Sequence, residues 1–95
     1  MSPTTNWTED QIRGEIKRLI ANVTEREPDE IPDGAHFMDE LGVDSLMAME
    51  VMIAVDKKYK IYITEEEFNK AKNVNESVAL VQHWLSAREG TAATA

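Results

Sequence analysis

The sequence predicts an all-α domain, a small four-helix bundle of three longer helices and one short third helix. Three observations carry this. Apolar residues recur at three- and four-residue spacing in three separate stretches, the pattern of a helix with one buried face. Each helical stretch follows a Thr, Asp or Asn suited to capping a helix start. The one run that alternates like a strand, Ile61-Tyr62-Ile63, has nothing elsewhere in the chain to pair with.

The first helix is announced by Thr8 and Gln11, which form a capping box, with Trp7 placed to pack on Ile12 as a hydrophobic staple. Ile12, Ile16, Leu19, Ile20 and Val23 then make one stripe. Gly14 costs about 1 kcal/mol relative to alanine in a helix interior, so it belongs off that stripe or against a close neighbour. The pattern fades near Thr24, and Pro28 bars a simple continuation.

Residues 25–43 read as a loop punctuated by Pro28, Pro32 and Asp33-Gly34. Nearly twenty residues is long for a structureless connection, which implies function or internal packing. Ile31, Phe37, Met38 and Leu41 are its expected anchors to the core, with a single helical turn around Phe37 to Leu41.

The second helix is expected from Ser45 to Tyr59. Ala48, Val51, Met52, Val55 and Tyr59 supply one stripe, Leu46, Met49 and Ile53 a second, and Met47 more apolar surface. A helix apolar nearly all round should be buried on both sides, and a chain this short cannot cover it. Leu46, Met49 and Ile53 are therefore expected to await a partner or a cargo. Lys57, Lys58 and Lys60 suit the helix C-terminus. After an extended linker that buries Ile61 or Ile63, Thr64 and Glu67 form another capping box and Ile63 with Phe68 another staple, for a short helix from Glu65 to Lys70. The last helix follows Asn73, with Glu76 completing its cap. It buries Val74, Val78, Val81 and Leu85, with Leu80 and Trp84 flanking, and is expected to stop at Gly90. The domain thus spans residues 7–89 between tails 1–6 and 90–95, both expected to be disordered.

The net charge of −8 is unevenly placed. Residues 25–50 hold nine acids against Arg26 alone, while the rest of the chain balances nine acids with nine bases. That field disfavours nucleic acid and anionic membranes and draws basic protein surfaces. Without cysteine there is no disulfide, thiolate metal site or cysteine nucleophile, so any thiol chemistry comes from a cofactor. No apolar run is long enough to span a membrane and no signal peptide is evident, so a cytoplasmic monomer is expected. His36 and His83 lack companions for metal binding or catalysis. Asp29-Glu30-Ile31-Pro32-Asp33 lacks the ligand spacing of an EF-hand, and nothing suggests a Ser-His-Asp triad.

Charge and apolar surface converge on Leu41-Gly42-Val43-Asp44-Ser45-Leu46. Asp44 is a good N-cap, which leaves the Ser45 hydroxyl in the first helical turn, facing solvent beside unpaired N–H groups and the positive end of the helix dipole. A phosphate is stabilised there. Phe37-x-x-Glu40-Leu41-Gly42-Val43-Asp44-Ser45-Leu46, running into a helix that contains Glu50, closely resembles the acyl carrier protein family, with similarity from about Thr8 to Trp84.

The resemblance implies a non-catalytic carrier. Ser45 would hold a 4'-phosphopantetheine arm, with Asp44 and Leu46 defining the motif, and acyl groups would ride on the arm as thioesters for fatty-acid, polyketide or related enzymes. It also implies a magnesium-dependent phosphopantetheinyl transferase, and synthase and acyl-transfer partners that bring basic residues to Glu50 and apolar pockets to Met47, Met49 and Ile53. Met47 and Ala48 stand where the family often has acids, which points to a specialised pathway as an alternative to the housekeeping one. Two rivals remain: a peptidyl or aminoacyl carrier domain, and a helical interaction domain without prosthetic group. Phe68 and Tyr59 are bulky enough to restrict any cavity between the second and third helices.

Overall fold

The computed structural model describes residues 7–94, with helices α1 (Glu9–Thr24), α2 (Ser45–Tyr59), α3 (Glu65–Lys70) and α4 (Val74–Thr94). No strand occurs among the described residues. The expected tail 1–6 lies outside them. Among them, no helix is long and apolar enough to cross a membrane.

α1 begins as expected: the Thr8 hydroxyl accepts from Gln11 N–H, and the Gln11 side chain accepts from Thr8 N–H. Its face of Ile12, Ile16, Leu19 and Ile20 is buried, and it packs against both α4 and α2. Gly14 is exposed and stands off this face. Trp7 lies edge-on to Tyr59 with ring centroids 5.1 Å apart, and the Lys58 ammonium sits 5.3 Å from the indole centre. This clips the entry of α1 to the far end of α2. Burial, aided by the Glu15 charge, pushes the Tyr59 hydroxyl up to about 12.

The long connection is packed rather than loose. A 3₁₀ turn at Pro28–Glu30, not expected from the sequence, follows a left-handed cap at Glu25. Ile31, Phe37 and Leu41 are buried as expected, joined by Ala35 and Val43. Met38 is 49% exposed, against expectation. Residues 37–41 form a tight turn in which His36 C=O accepts from both Glu40 and Leu41 N–H. It turns Phe37 and Leu41 inward and leaves Met38 outside. Backbone bonds stitch the loop to the start of α4: Phe37 N–H donates to Lys72 C=O at 2.9 Å, and Asn75 N–H to Asp33 C=O at 3.2 Å.

One polar cluster reinforces the stitching. Arg13 donates to Glu9 at 2.6 Å, Asp33 at 2.9 Å and Asn75 at 2.6 Å, while Lys17 pairs with the other Asp33 oxygen. The Lys17 hydrogen bond, more than the charges of Lys17 and Arg13, holds the Asp33 carboxyl below its ordinary 3.8 against the opposing effect of desolvation.

The second and third helices have the expected bounds. Between them Ile61 and Ile63 are both buried, while Tyr62 faces out. Asp56 organises this linker: its C=O accepts from Lys60 and Ile61 N–H and its carboxylate from Ile63 N–H at 3.1 Å. Partial burial raises the Asp56 carboxyl, and the Ile63 bond opposes that rise. Glu67 both closes the α3 capping box and accepts from Trp84 Nε1 at 3.2 Å, tying α3 to α4.

α4 is capped by Asn73, whose side chain accepts from Glu76 N–H at 2.8 Å. The expected stop at Gly90 does not form, and the helix continues through it to Thr94, so the expected tail is helical as far as that residue. A glycine ends a helix by turning left-handed; one kept helical costs only about 1 kcal/mol, and Ala92 and Ala93 beyond it favour continuation. Ser77 was not expected in the core but is 3% exposed, and its hydroxyl has no hydrogen-bond partner among the described residues.

Two predictions follow from this packing. Ser77→Ala removes a desolvated, unpaired hydroxyl and adds helix propensity, so urea unfolding should show neutral to raised stability, by up to about 1 kcal/mol. A depressed folded-state pKa at Asp33 means its stabilisation is present above 3.8 and is lost as pH falls through the lower folded value. Asp33→Asn should therefore be less stable at pH 7 and show a shallower loss of thermal stability below pH 3.8 than the parent.

Candidate functional site at the start of the second helix

The site begins with a backbone choice. Val43 is buried and its N–H donates to Phe37 C=O at 2.9 Å, so the chain must reverse between this bond and the start of α2. Gly42 makes the reversal at φ +73°, a left-handed conformation that favours glycine. Asp44 then caps α2, its side chain accepting from Met47 N–H at 2.9 Å. The cap leaves the N–H groups of Ser45 and Leu46 without partners among the described residues.

Ser45 is therefore the first residue of a fifteen-residue helix and is exposed, with no hydrogen bond to its hydroxyl among the described residues. The electrostatics differ from those of the other helices. α1 carries Glu9 and Asp10 in its first turn, α3 carries Glu65, Glu66 and Glu67, and α4 carries Glu76. The first turn of α2 carries no acid. The capping Asp44 aside, the positive end of its dipole is left for an anion from outside, at about 0.3 to 1 kcal/mol for an exposed group.

Leu46 is 68% exposed, Ile53 47% and Met49 40%, forming the outward stripe expected of them, and Glu50 is exposed among them. Met47 differs from expectation: it is half-buried and packs against the core. Ala48 and Met52 are half-buried, and Val51, Val55 and Tyr59 are fully buried, so α2 is covered on one side only. His36 braces the preceding turn, its Nδ1 accepting from Asp39 N–H at 3.1 Å.

One small cavity adjoins the serine, about 50 Å³ and lined by Ser45, Met49, Met52 and Glu65, and a neighbouring one of about 30 Å³ is lined by Ile20, His36, Phe37, Met38, Val43, Ala71 and Lys72. Ala48, Phe68 and Asn69 line both. Phe68, expected from the sequence as bulk between the second and third helices, lines both, whereas nothing in the sequence pointed to Glu65 or Asn69 of α3. Tyr59 lines neither cavity.

The sequence meets its counterpart in known proteins. Residues 14–81 match the family described as Phosphopantetheine attachment site. The chain belongs to this family of carrier proteins. It is 29% identical over 75 residues to an acyl carrier protein of Rhodococcus erythropolis, covering 79% of this chain and 82% of that one. It is 33% identical over 75 residues to a meromycolate extension acyl carrier protein of Mycobacterium tuberculosis (79% and 65% covered). With a polyketide-8 synthase acyl carrier protein of Streptomyces avermitilis it shares 31% over 67 residues (70% and 77%).

A carrier of this family has a 4'-phosphopantetheine attachment site and is not itself an enzyme; a phosphopantetheinyl transferase and biosynthetic enzymes act on it. The start of α2 fits such a group, offering an exposed, unengaged hydroxyl beside free N–H donors in a turn without acids.

The cap can be isolated from the charge. Asp44→Ala should lower stability by about 1 kcal/mol in urea unfolding, whereas Asp44→Asn, which keeps an acceptor for Met47 N–H, should cost a few tenths at most.

Proposed function

We propose that the chain is an acyl carrier that holds acyl intermediates on a 4'-phosphopantetheine arm attached to Ser45 and presents them to enzymes of fatty-acid, polyketide or related biosynthesis. The observation that carries this reading is the Ser45 hydroxyl itself, exposed at the tip of the one longer helix whose first turn is free of acids. In loading, the Ser45 oxygen attacks the pantetheine-side phosphorus of coenzyme A within a magnesium-dependent transferase. An O–P bond forms, the pyrophosphate linkage breaks, adenosine 3',5'-bisphosphate departs, and the serine proton passes to a base of the transferase or to water. Once attached, the arm supplies a thiol that carries acyl groups as thioesters.

The chain's own contribution is placement. Asp44 fixes the first turn, the unpaired N–H groups of Ser45 and Leu46 face the new negative charge, and the apolar anchors of the loop hold the whole start of α2 in position. Partners with basic surfaces are steered by the excess acids of residues 25–50, Glu50 among them. Their apolar pockets then take Leu46, Met49 and Ile53, which supply most of the affinity. Met47 and Ala48 in the first turn, and relatives named for meromycolate extension and polyketide synthesis beside others named only acyl carrier protein, support a specialised pathway as an alternative to the housekeeping one.

Incubation with coenzyme A, magnesium and a broad-specificity transferase should add the mass of one arm by intact-mass spectrometry. Ser45→Ala should gain none while keeping its helical circular dichroism. An unchanged mass for the parent chain would instead favour a helical interaction domain without prosthetic group.

A further inference from the structure

Along the outward face of α2 the charge changes sign. Leu46, Glu50, Ile53 and Lys57 follow one another at spacings of four, three and four residues, so they form one ridge, with Met49 beside it. All five are exposed, while Val51, Val55 and Tyr59 lie buried on the opposite face. Beyond Leu46 the ridge reads acid, apolar, base from the Ser45 end, and the exposed Lys60 at the C-cap adds a second cation at the far end.

Neither charge on the ridge is satisfied within the chain. Glu50 and Lys57 stand seven residues apart, about 10 Å along the axis, too far to pair with each other. Neither has an ion pair or a side-chain hydrogen bond among the described residues. Their neighbours near the end of the helix are engaged: the Asp56 carboxylate accepts from Ile63 N–H, and Lys58 lies over the Trp7 ring. The negative end of the helix dipole favours Lys57 and Lys58 alike, so it does not explain why one of them stands in line with the apolar stripe.

We propose that Lys57 selects partners by charge, and that the protein surface docking on α2 carries a carboxylate opposite Lys57, an apolar pocket for Ile53 and a basic group opposite Glu50. This rests on the carrier reading and narrows it, because a partner with cations along the whole contact would set one of them against Lys57 and be rejected by like charge. The change of sign also fixes direction. Turning the partner end for end opposes like charges at both ends of the ridge, so one orientation alone is favoured, and it presents the same part of the partner to the Ser45 tip.

The test uses a synthetic peptide held helical by lactam bridges on its outer face, with an arginine and a glutamate seven residues apart flanking a leucine stripe. Two relatives replace its glutamate by glutamine or by arginine. Each is titrated into the full chain with the arm loaded on Ser45, as parent, Lys57→Gln, Lys57→Glu and Lys58→Gln, all checked by intact mass and circular dichroism. Binding is followed at the amide resonances of Leu46, Met49 and Ile53. Removing either the Lys57 charge or the peptide's carboxylate should weaken binding about two- to fivefold, and removing both should weaken it no further. Lys58→Gln should keep the parent's preference for glutamate over glutamine. Lys57→Glu should hold the all-basic peptide more tightly than the parent does, and the mixed peptide less tightly. A nitroxide at the arginine end of the mixed peptide should broaden Leu46 and spare Lys57. Losses that simply add, a label that broadens both ends alike, or stripe resonances that no peptide moves each overturn the proposal. Failure of the carrier reading is separate: it shows as unchanged mass after incubation with coenzyme A and transferase, and the same titrations on the unloaded chain still read the ridge.

Discussion

The position of one hydroxyl depends on how the turn before α2 is anchored. Phe37 and Val43 are buried at its two ends and joined by a backbone hydrogen bond, and a second bond from Phe37 N–H reaches Lys72 next to α4. A twenty-residue connection between two helices would otherwise leave the start of α2 free to wander. Here the apolar anchors place it, Gly42 supplies the left-handed reversal, and Asp44 sets the first turn. With no sheet among the described residues and no disulfide, side-chain burial, a few backbone bonds and the polar cluster around Asp33 carry the task.

The same economy explains why α2 is half covered. α1 packs against α2 and α4, while α3 is only six residues long. Enough chain exists to bury Val51, Val55 and Tyr59, and not enough to reach Leu46, Met49 and Ile53. In an isolated domain an outward apolar stripe is a liability for solubility. The acids of the preceding loop offset it, since they keep like molecules apart while attracting surfaces of opposite charge. Charge and grease are thus not competing features of the site; each makes the other tolerable.

What could be read from the sequence was what local chemistry decides. Asp44, Thr64 and Asn73 fixed three helix starts because a cap acts within three residues of itself. The stripes of α1 and α2 sorted buried from exposed residues because helical geometry is regular. Errors arose where an outcome depends on distant packing or on a near balance of small terms. Met38 sits in a turn whose inward side is set by Phe37 and Leu41, and its neighbours in sequence gave no hint of that. Gly90 was a plausible terminator, yet the helix passes through it. The site showed the same division: Ser45 and its cap were legible, whereas Glu65 and Asn69 reach the serine's neighbourhood only through the fold of α3 against α2.

The clip between Trp7 and Tyr59 sets the direction from which anything upstream reaches the bundle. Tyr59 closes α2 at the opposite end from Ser45, and fifteen residues at 1.5 Å each put about 20 Å between the two. A purification handle, fluorescent protein or surface anchor joined ahead of Trp7 therefore enters the domain at the rear, leaving the serine tip open to a visiting enzyme.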